Sequence, residues 1–456
     1  MTALDQALSQ GPDASSRVAG GEGVLSLLDR ARAAARPQLT GIVTGAMGLT
    51  LTAEGVSAAV GDLVEISTGP RPLLAEVVAV QKERLTCMPL GDLSGVRAGA
   101  RVRATGMPLQ VPVGPALLGR VLDGLGRPMD GGPPLGSQLR YVDLTSQTPN
   151  ALTRARVDRQ LATGVRALDT LVPVGRGQRL GIFAGSGVGK STLLSQITRG
   201  TDADIRVIGL IGERGREVRE FLEEDLGAEG MANTVVVVAT SDEPPLVRLK
   251  AAFVATRIAE AFRDQGRDVL LMMDSITRTA MAQREVGLSA GEPPATRGYP
   301  PSVFAMMPKL LEKAGTASSG SITGLYTVLV DGDDHNEPIA DTARSILDGH
   351  VVLTRKLATA GHFPAIDVLE SISRVATAVV PAPQMTDARE VRRMMGALRD
   401  VRELIEIGAY QTGTDPLVDR ARRLAPQIDG FLRQSTDDST PPGESFARLH
   451  VIANSA

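Results

Sequence analysis

The fold of this chain is decided by one stretch of its sequence, Leu180-Gly181-Ile182-Phe183-Ala184-Gly185-Ser186-Gly187-Val188-Gly189-Lys190-Ser191-Thr192. An apolar run typical of a strand leads into a glycine-rich turn, and a helical pattern begins at Thr192. The spacing fits G-x-x-x-x-G-K-[ST] except that Ala184 holds the first position, which only has to be small. The stretch therefore predicts a phosphate-binding loop whose nucleotide-binding residues are Gly185, Ser186, Gly187, Val188, Gly189, Lys190, Ser191 and Thr192.

Each residue type in this loop has a chemical reason to be there. Glycines lack a Cβ atom, so backbone N–H groups can converge on phosphate oxygens at the positive end of the following helix. Lys190 would reach the β- and γ-phosphates, and the Ser191 hydroxyl would bind Mg²⁺. The motif predicts nucleotide binding without specifying the reaction that follows.

Composition narrows the class of protein. A chain of 456 residues should hold two or three domains, and its formal net charge of −3 gives no general attraction to nucleic acid. Cys87 is the only cysteine, which excludes an intrachain disulfide and suits a reducing cytoplasm. The first residues lack the basic and apolar regions of a secretory signal, and the apolar runs are too short to span a bilayer. We therefore expect a cytoplasmic protein that reaches membranes only through partners.

The chain before the nucleotide-binding region divides into a tail and a barrel. Residues 1–36 are predicted to form a mobile tail and an amphipathic helix over Val24–Ala31, which could equally dock a partner or pack on its own domain. Residues 37–106 alternate apolar and polar side chains between glycine turns, which predicts a small closed β-barrel. Since no aromatic residue precedes Tyr141, this barrel lacks stacking platforms for single-stranded nucleic acid, and we expect a structural role.

An α/β domain is predicted over residues 107–382, with 107–150 as a connector rich in proline and glycine. Its strand-like runs, such as 234–238 and 269–273, carry apolar residues at both odd and even positions, which is typical of strands buried on both faces of a mainly parallel sheet. Helical patterns alternate with these runs, so the phosphate-binding loop follows an early strand of an α/β sheet.

A helical domain is predicted over residues 383–456, because strand signals disappear there. Thr386-Asp387 could cap its first helix, which would end at Gly408. Further helices are expected from about Pro416 and Pro426.

Two carboxylates follow buried strands and are candidates for chemistry. Asp274 ends the apolar run 269–273 and is expected to hold Mg²⁺, rather than merely to cap a turn. Glu213 follows the strand 206–212 and could polarise the attacking water. From local sequence alone it could equally belong to a solvated charge cluster with Arg214, Arg216 and Glu217.

The chain resembles the catalytic-subunit family of rotary ATP synthases and, within it, the ATPases of type III protein export. The resemblance covers nearly the whole chain from about residue 38, and the flagellar branch is favoured over the injectisome branch by residues 399–419. The segments that carry it most clearly are Gly212-Glu213-Arg214-Gly215-Arg216-Glu217-Val218, Gly291-Glu292-Pro293-Pro294-Ala295-Thr296-Arg297-Gly298-Tyr299-Pro300-Pro301 and Pro364-Ala365-Ile366-Asp367-Val368-Leu369-Glu370-Ser371-Ile372-Ser373-Arg374.

The resemblance implies a RecA-like nucleotide-binding core and assigns roles to single residues. Glu213 matches the general base, Arg214 a residue near the γ-phosphate, and Arg374 an arginine finger that acts on the neighbouring subunit's nucleotide. Phe363 matches the aromatic residue that stacks on adenine, with ordinary core packing as the alternative. Tyr410 and Gln411 could close the other side of the base pocket.

The resemblance also implies partners: ATP with Mg²⁺, five further copies in a homohexamer, a stator-like regulator at the N-terminus, and a coiled-coil central stalk. It further implies binding to an export gate and to complexes of chaperones with their substrates, at the cytoplasmic face of a membrane export apparatus. Other possibilities are an injectisome ATPase, a proton-coupled ATP synthase subunit, an RNA-translocating ring and a non-hydrolysing nucleotide-binding subunit. The last two fit poorly, because the barrel lacks aromatics and Lys190, Ser191, Glu213 and Asp274 are all present.

Overall fold

The computed structural model describes residues 39–69, 71–136, 139–330 and 337–455. The helix predicted over Val24–Ala31 lies outside these residues. Within them the chain forms a β-barrel, a sheet covered by helices on both faces, and a C-terminal group of helices, which confirms the predicted fold class.

The barrel consists of antiparallel strands in the closed order β1-β2-β5-β4-β3-β6. Alternate side chains point inward, as the pattern predicts for strands with one buried face. Val64, Ile66 and Val102, for example, are fully shielded from solvent inside the barrel. The strands are β1 Thr40–Met47, β2 Thr50–Glu54, β3 Asp62–Ile66, β4 Leu73–Gln81, β5 Arg84–Pro89 and β6 Arg101–Pro108.

The connector after the barrel contains short strands: β7 Gln110–Val113, β8 Val121–Asp123 and β9 Arg140–Asp143. β7 pairs with β9, and β8 joins the edge of the large sheet through Val121 and Val236. The remaining strands are β10 Arg179–Ala184, β11 Ile205–Glu213, β12 Thr234–Thr240, β13 Asp268–Asp274, β14 Gly315–Thr316, β15 Ser321–Leu329, β16 Gly349–Leu353 and β17 Ile366–Ser373.

The large sheet has the order β17-β16-β10-β15-β13-β11-β12-β8, and β14 pairs with β15. The neighbours from β16 to β8 along this order run parallel, whereas β17 is antiparallel to β16. The carboxyl ends of the parallel strands therefore share one edge, which we call the carboxyl edge, and the opposite edge is the amino edge.

Both faces of this sheet are buried, which explains why its strands contain runs of consecutive apolar residues. In β13, Val269, Leu271 and Met273 belong to one hydrophobic core, while Leu270 and Met272 belong to the core on the opposite face. Such strands need helices on both sides, and the alternating order of strands and helices supplies them.

The helices of the nucleotide-binding part are α1 Arg166–Thr170, α2 Lys190–Gly200, α3 Gly215–Glu220, a π-helical turn Phe221–Leu226, α4 Gly227–Met231, α5 Pro245–Arg263, α6 Ile276–Ser289, α7 Pro301–Leu311, α8 Pro338–Ile346 and α9 Arg355–Thr359. Those that follow are α10 Ala376–Val379, α11 Ala382–Asp400, α12 Arg402–Glu406, α13 Pro416–Leu432 and α14 Pro442–Asn454. In the described part of the chain no helix is both long enough and apolar enough to cross a bilayer.

Three helix boundaries differ from the sequence-based expectation. The first C-terminal helix does not continue to Gly408, because α11 ends at Asp400 and the separate helix α12 covers Arg402–Glu406. Thr386 does not cap a helix, since α11 begins at Ala382 and the Thr386 hydroxyl donates to the Ala382 carbonyl 3.0 Å away. Pro426 does not start a helix but lies inside α13. Proline removes one backbone hydrogen bond, and the buried apolar face of α13, with Leu424 and Ile428, outweighs that loss.

The edge strand β17 is covered by a side chain from α11. Arg392 donates from Nη1 to the Val368 carbonyl at 2.7 Å and from Nη2 to the Ser371 carbonyl at 3.1 Å. The guanidinium therefore satisfies carbonyl groups of residues 368–371, the irregular segment of the edge strand between its pairs Asp367–Val352 and Ile372–His350.

Candidate active site

The phosphate-binding loop leaves the carboxyl edge of the sheet between β10 and α2. β10 ends at Ala184, and α2 begins at Lys190. Gly187 and Gly189 have φ angles of 74° and 88°, which side chains other than glycine rarely adopt. Between them Val188 is buried and anchors the loop. Ser186 in the loop is exposed, as are Ser191 and Thr192 in the first turn of the helix. The loop thus presents backbone N–H groups and hydroxyls at a helix N-terminus, as phosphate binding requires.

Three predicted site residues lie together at this edge. Lys190 Nζ is 2.6 Å from Asp274 Oδ1 and 3.4 Å from Glu213 Oε1. Asp274 and Glu213 are the last residues of β13 and β11, which are adjacent parallel strands. The sheet topology therefore brings the two carboxylates to the lysine of the loop.

Two contacts at this cluster were not predicted from the sequence. Arg278 Nη1 lies 2.7 Å from Glu213 Oε2 and donates to the Gly212 carbonyl at 2.5 Å. The Thr327 hydroxyl donates to Asp274 Oδ1 at 2.6 Å. One signal could have revealed Arg278: it lies in the first turn of the helix that follows Asp274, four residues later, where the chain leaves the carboxyl edge.

The four charged side chains of this cluster balance one another. Glu213 and Asp274 are nearly buried, and a carboxylate in such a place is costly unless it is paired. Lys190 and Arg278 supply two positive charges for the two negative ones. Each buried carboxylate therefore has a cationic partner, Lys190 at 2.6 Å from Asp274 and Arg278 at 2.7 Å from Glu213.

Glu217, in the first turn of α3, also contacts this cluster. Its pKa is lowered first by a side-chain hydrogen bond with Glu213, and the neighbouring guanidiniums of Arg214 and Arg278 lower it further. Arg214 itself is mostly exposed, and its Nη1 lies 3.0 Å from Glu217 Oε1. The predicted γ-phosphate residue Arg214 is thus near the cluster but directed toward solvent.

Phe363 lies beside the phosphate-binding loop. A Cβ atom added at Gly189 would be 3.3 Å from Phe363 Cε1, so the ring lies over the start of α2. The side chain is 44% exposed, which leaves one surface of the ring open to a ligand. This placement suits a stacking contact with a base better than ordinary core packing.

Tyr410 is held away from this ring. Its hydroxyl donates to Asp419 Oδ1 at 3.0 Å near the start of α13, whereas Asp429 near the end of α13 contacts His362, the neighbour of Phe363. Ten helical residues separate the two aspartates, about 15 Å along the axis. The structure therefore does not bring Tyr410 to the base side of the site.

Arg374 lies at the opposite edge of the sheet from the phosphate-binding loop. It follows Ser373, which pairs with Gly349 at the beginning of β16, whereas the loop follows the end of the parallel strand β10. Its backbone N–H donates to the Asp348 carbonyl at 3.0 Å, and its exposed guanidinium has one long contact, 3.4 Å, to the Arg344 carbonyl. Arg374 therefore cannot reach the phosphates bound at its own loop in this arrangement.

Three segments of the chain match known protein families. The ATP synthase alpha/beta family, nucleotide-binding domain, matches residues 164–373, and the beta-barrel domain of the same family matches residues 43–106. The T3SS EscN ATPase C-terminal domain matches residues 380–451.

Relatives and solved structures match over most of their length. The flagellum-specific ATP synthase of Bacillus subtilis is 50% identical, with 90% of this chain and 94% of the relative covered. The type 3 secretion system ATPase of Xanthomonas euvesicatoria is 49% identical, with 91% of this chain and 94% of the relative covered. The assembled ATPase EscN from the type III secretion system of enteropathogenic E. coli superposes with a TM-score of 0.86 at 46% identity, covering 91% of this chain and 100% of EscN.

Proposed function

The chain belongs to the ATP synthase alpha/beta family, and on this premise we propose that it hydrolyses ATP to energise type III export of flagellar proteins. The observation that carries the proposal is the cluster of Lys190, Glu213 and Asp274 beneath a phosphate-binding loop. A protein that only bound nucleotide would need the lysine and the loop, but not a carboxylate beside them for activating water. This cluster therefore favours hydrolysis over simple binding.

Each residue of the site has a role in this reaction. The loop N–H groups and Lys190 bind the phosphates, and Lys190 neutralises charge that develops on the γ-phosphoryl oxygens. Glu213 accepts a proton from the attacking water, and Arg278 orients the Glu213 carboxylate through its 2.7 Å ion pair. Phe363 stacks on the base.

The donor set at the loop fits Mg²⁺, since this ion prefers oxygen ligands and usually keeps only one or two from the protein. The exposed Ser191 hydroxyl and the Asp274 carboxylate are such oxygens, and Asp274 is oriented by Thr327. Bound there, Mg²⁺ would neutralise phosphate charge. Thr327 and Lys190 fix the carboxylate that would hold it.

The position of Arg374 supports a homohexamer in which the arginine acts on the adjacent subunit's nucleotide. It lies at the amino edge, opposite the loop, and its guanidinium is exposed. A ring of identical subunits packed head to tail would place the amino-edge arginine of one copy near the loop of the next. Each chain would supply a base and a finger, so no separate non-catalytic subunit is needed.

The relatives support the assignment to protein export. The flagellum-specific ATP synthases of Bacillus subtilis and Salmonella typhimurium cover more than nine-tenths of their own lengths in the match. One solved relative is EscN in complex with its central stalk EscO, which supports a coiled-coil stalk as a partner here. We further propose an export gate and chaperone–substrate complexes as partners, at the cytoplasmic face of the membrane.

Residues 1–36 are proposed to bind a stator-like regulatory protein through the apolar side chains Leu27 and Leu28. Copurification of the regulator with the full chain, and its loss on Leu27→Asp, would support this role. Unchanged copurification would place the docking site elsewhere. An injectisome ATPase is the second candidate, because the Xanthomonas euvesicatoria relative is almost equally similar.

The central test is the loss of Lys190. We expect Lys190→Ala to abolish Mg²⁺-dependent ATP hydrolysis, because the γ-phosphate loses its cationic contact. The matched control is Lys309→Ala, which removes an exposed lysine near the end of α7, where the chain returns to the amino edge of the sheet, and should hydrolyse ATP normally. Full phosphate release by Lys190→Ala would contradict the proposed site.

A further inference from the structure

The segment that carries Phe363 is attached to the end of α13 at three consecutive residues. Arg433 Nη1 donates to the Gly361 carbonyl at 2.9 Å, His362 Nδ1 lies 2.9 Å from Asp429 Oδ1, and the Gln434 N–H donates to the Phe363 carbonyl at 2.9 Å. The same segment also bonds to α9, because the Gly361 and His362 N–H groups donate to the Ala358 and Leu357 carbonyls, both at 3.0 Å. Its position is therefore set by α9 and by the end of α13 together. We call residues 361–363 the base loop.

The contact between His362 and Asp429 is the centre of this attachment. The His362 side chain is nearly buried, whereas the Asp429 side chain is half exposed, so the contact joins the base loop to the surface of α13. Partial burial acts to raise the pKa of Asp429, but hydrogen bonds from Arg433 and His362 outweigh it and lower the pKa below its ordinary range. Asp429 is therefore a charged acceptor that binds two donors, one on the base loop and one on its own helix.

The end of α13 is itself fixed to the nucleotide-binding core. Gln434 Nε2 donates to the Gly164 carbonyl at 2.7 Å, and its Oε1 accepts from the Arg166 N–H at 2.9 Å. Arg166 Nη2 also donates to the Arg433 carbonyl at 2.5 Å. The residues that bond to the base loop, Arg433 and Gln434, are therefore themselves bonded to Gly164 and Arg166 of the nucleotide-binding core.

The consequence concerns the ring that faces the nucleotide. The ring of Phe363 lies 3.3 Å from the position that a Cβ atom would take at Gly189, so its contact with the phosphate-binding loop is a packing contact. If the base loop were released from α13, the ring could leave the phosphate-binding loop while the loop itself kept its geometry. The phosphate contacts and the base contact are therefore held by different parts of the chain.

We propose that Asp429, Arg433 and Gln434 are positioning residues that set the affinity for the nucleotide base through the base loop. This inference rests on the proposed function, in which Phe363 stacks on the base. It assigns to the C-terminal helices a share of nucleotide affinity, although none of these three residues contacts the nucleotide.

The test compares a ligand that has a base with one that lacks it. For Asp429→Ala we expect the KM for ATP to rise about three- to tenfold, which corresponds to loss of an aromatic contact. The kcat should change by less than about twofold, since Glu213 and Lys190 are untouched. Competitive inhibition by inorganic tripolyphosphate with Mg²⁺ should keep its inhibition constant. Asp429→Asn retains an acceptor for His362 and should restore the KM.

Two further variants make the result specific. Glu444→Ala is the matched control, because Glu444 forms an ion pair with Arg448 on α14 at similar exposure and has no contact with the base loop. Arg433→Ala removes the bonds to Gly361 and Asp429 by another route, and should reproduce the rise in KM if Asp429→Ala fails to fold. Thermal unfolding of each variant shows whether it is folded.

The inference is overturned if the KM for ATP is unchanged in the folded variants, or if the tripolyphosphate constant rises by the same factor as the KM. Phe363→Leu separates this failure from failure of the proposed base contact. An unchanged KM in Phe363→Leu removes the stacking role itself. A raised KM there, with none in Asp429→Ala and Arg433→Ala, removes only the role of α13.

Discussion

Two cations and two buried carboxylates form the reactive cluster, and the contacts of Glu213 show how it is oriented. One carboxylate oxygen faces Lys190 at 3.4 Å and the other faces Arg278 at 2.7 Å. Arg278 also donates to the Gly212 carbonyl, and a Cβ atom at Gly212 would come within 2.9 Å of the Arg278 side chain. Glycine at that position therefore makes room for the side chain that fixes the base.

Replacing Glu213 separates binding from chemistry. Glu213→Gln keeps the size of the side chain and one oxygen that can accept from Arg278, but loses basicity. We expect turnover to fall about 10²- to 10⁴-fold while ATP binding, measured by titration calorimetry, stays within a few-fold. The matched control is Glu220→Gln on α3, whose exposed partner is Arg216. An equal loss of binding and turnover would remove Glu213 as the base.

The site could be predicted from the sequence only as far as local patterns extend. Lys190, Asp274 and Glu213 each stand at the end of a recognisable strand or loop, so the parallel sheet implies their proximity. Thr327 lies inside β15, and its hydroxyl reaches Asp274 only because β15 and β13 are neighbours. β15 also contains Ser321 and Thr323, and its sequence gives no indication of which of these hydroxyls will contact a residue of a neighbouring strand.

At the scale of elements, the turn before α1 supports the end of the phosphate-binding helix. Asp169 accepts from the Thr163 N–H and hydroxyl, both at 2.8 Å, and from the Gly164 N–H at 3.0 Å. A Cβ atom at Gly200, the last residue of α2, would lie 2.7 Å from the Thr163 carbonyl. The turn and the helix end are therefore in direct contact and leave no room for a larger residue.

This turn predicts a pH dependence of stability. Burial raises the pKa of Asp169 to about 7, against the hydrogen bonds that lower it. Between the unfolded pKa of about 4 and this value, the folded carboxyl keeps a proton that the unfolded chain releases. The free energy of unfolding, measured relative to that of the Asp169→Asn variant, should therefore fall as pH rises from about 4 to about 7. The expected slope is up to about 1.4 kcal/mol per pH unit, and the difference should be constant above pH 7.

Urea unfolding of both proteins between pH 4.5 and pH 8 measures this difference. Asp437→Asn serves as the control, since Asp437 is exposed and its substitution should leave the pH profile unchanged. A relative stability that is constant, or that increases with pH, would show that Asp169 folds in its charged form.

Element boundaries were less predictable than element types. The strands were recognised because burial on both faces leaves a strong apolar pattern. The start of α11 was missed because Thr386 resembles a cap, while the real N-terminus at Pro381 carries no side-chain cap. The continuity of α13 through Pro426 was missed because tertiary burial, rather than local propensity, keeps that helix intact.

At the scale of the whole molecule, the proposed base and the proposed arginine finger lie on opposite edges of one sheet. Glu213 ends β11 at the carboxyl edge, and Arg374 follows β17 at the amino edge. If both residues have these proposed roles, only contact between copies can bring them to the same nucleotide. Complementation between variants should therefore reveal the interface.

We expect Lys190→Ala and Arg374→Ala to be inactive when assayed separately, and a mixture of the two to regain activity. In mixed rings, a subunit with an intact Lys190 can lie beside one with an intact Arg374, so recovery of up to about a quarter of the wild-type rate is expected. Phosphate release at a fixed total concentration measures it. Lys190→Ala mixed with Glu213→Gln is the control, since both changes damage the same side of the interface and should give no recovery. No recovery in the first mixture would mean that Arg374 does not act across subunits.

The contact of Arg392 with β17 has a consequence for aggregation. An open edge strand is a template on which foreign or misfolded chains can add strands and start aggregates. The guanidinium occupies carbonyls along that edge, the opposite edge strand β8 is only three residues long, and the barrel is closed on itself. The barrel and the two ends of the large sheet thus offer little backbone to an incoming strand.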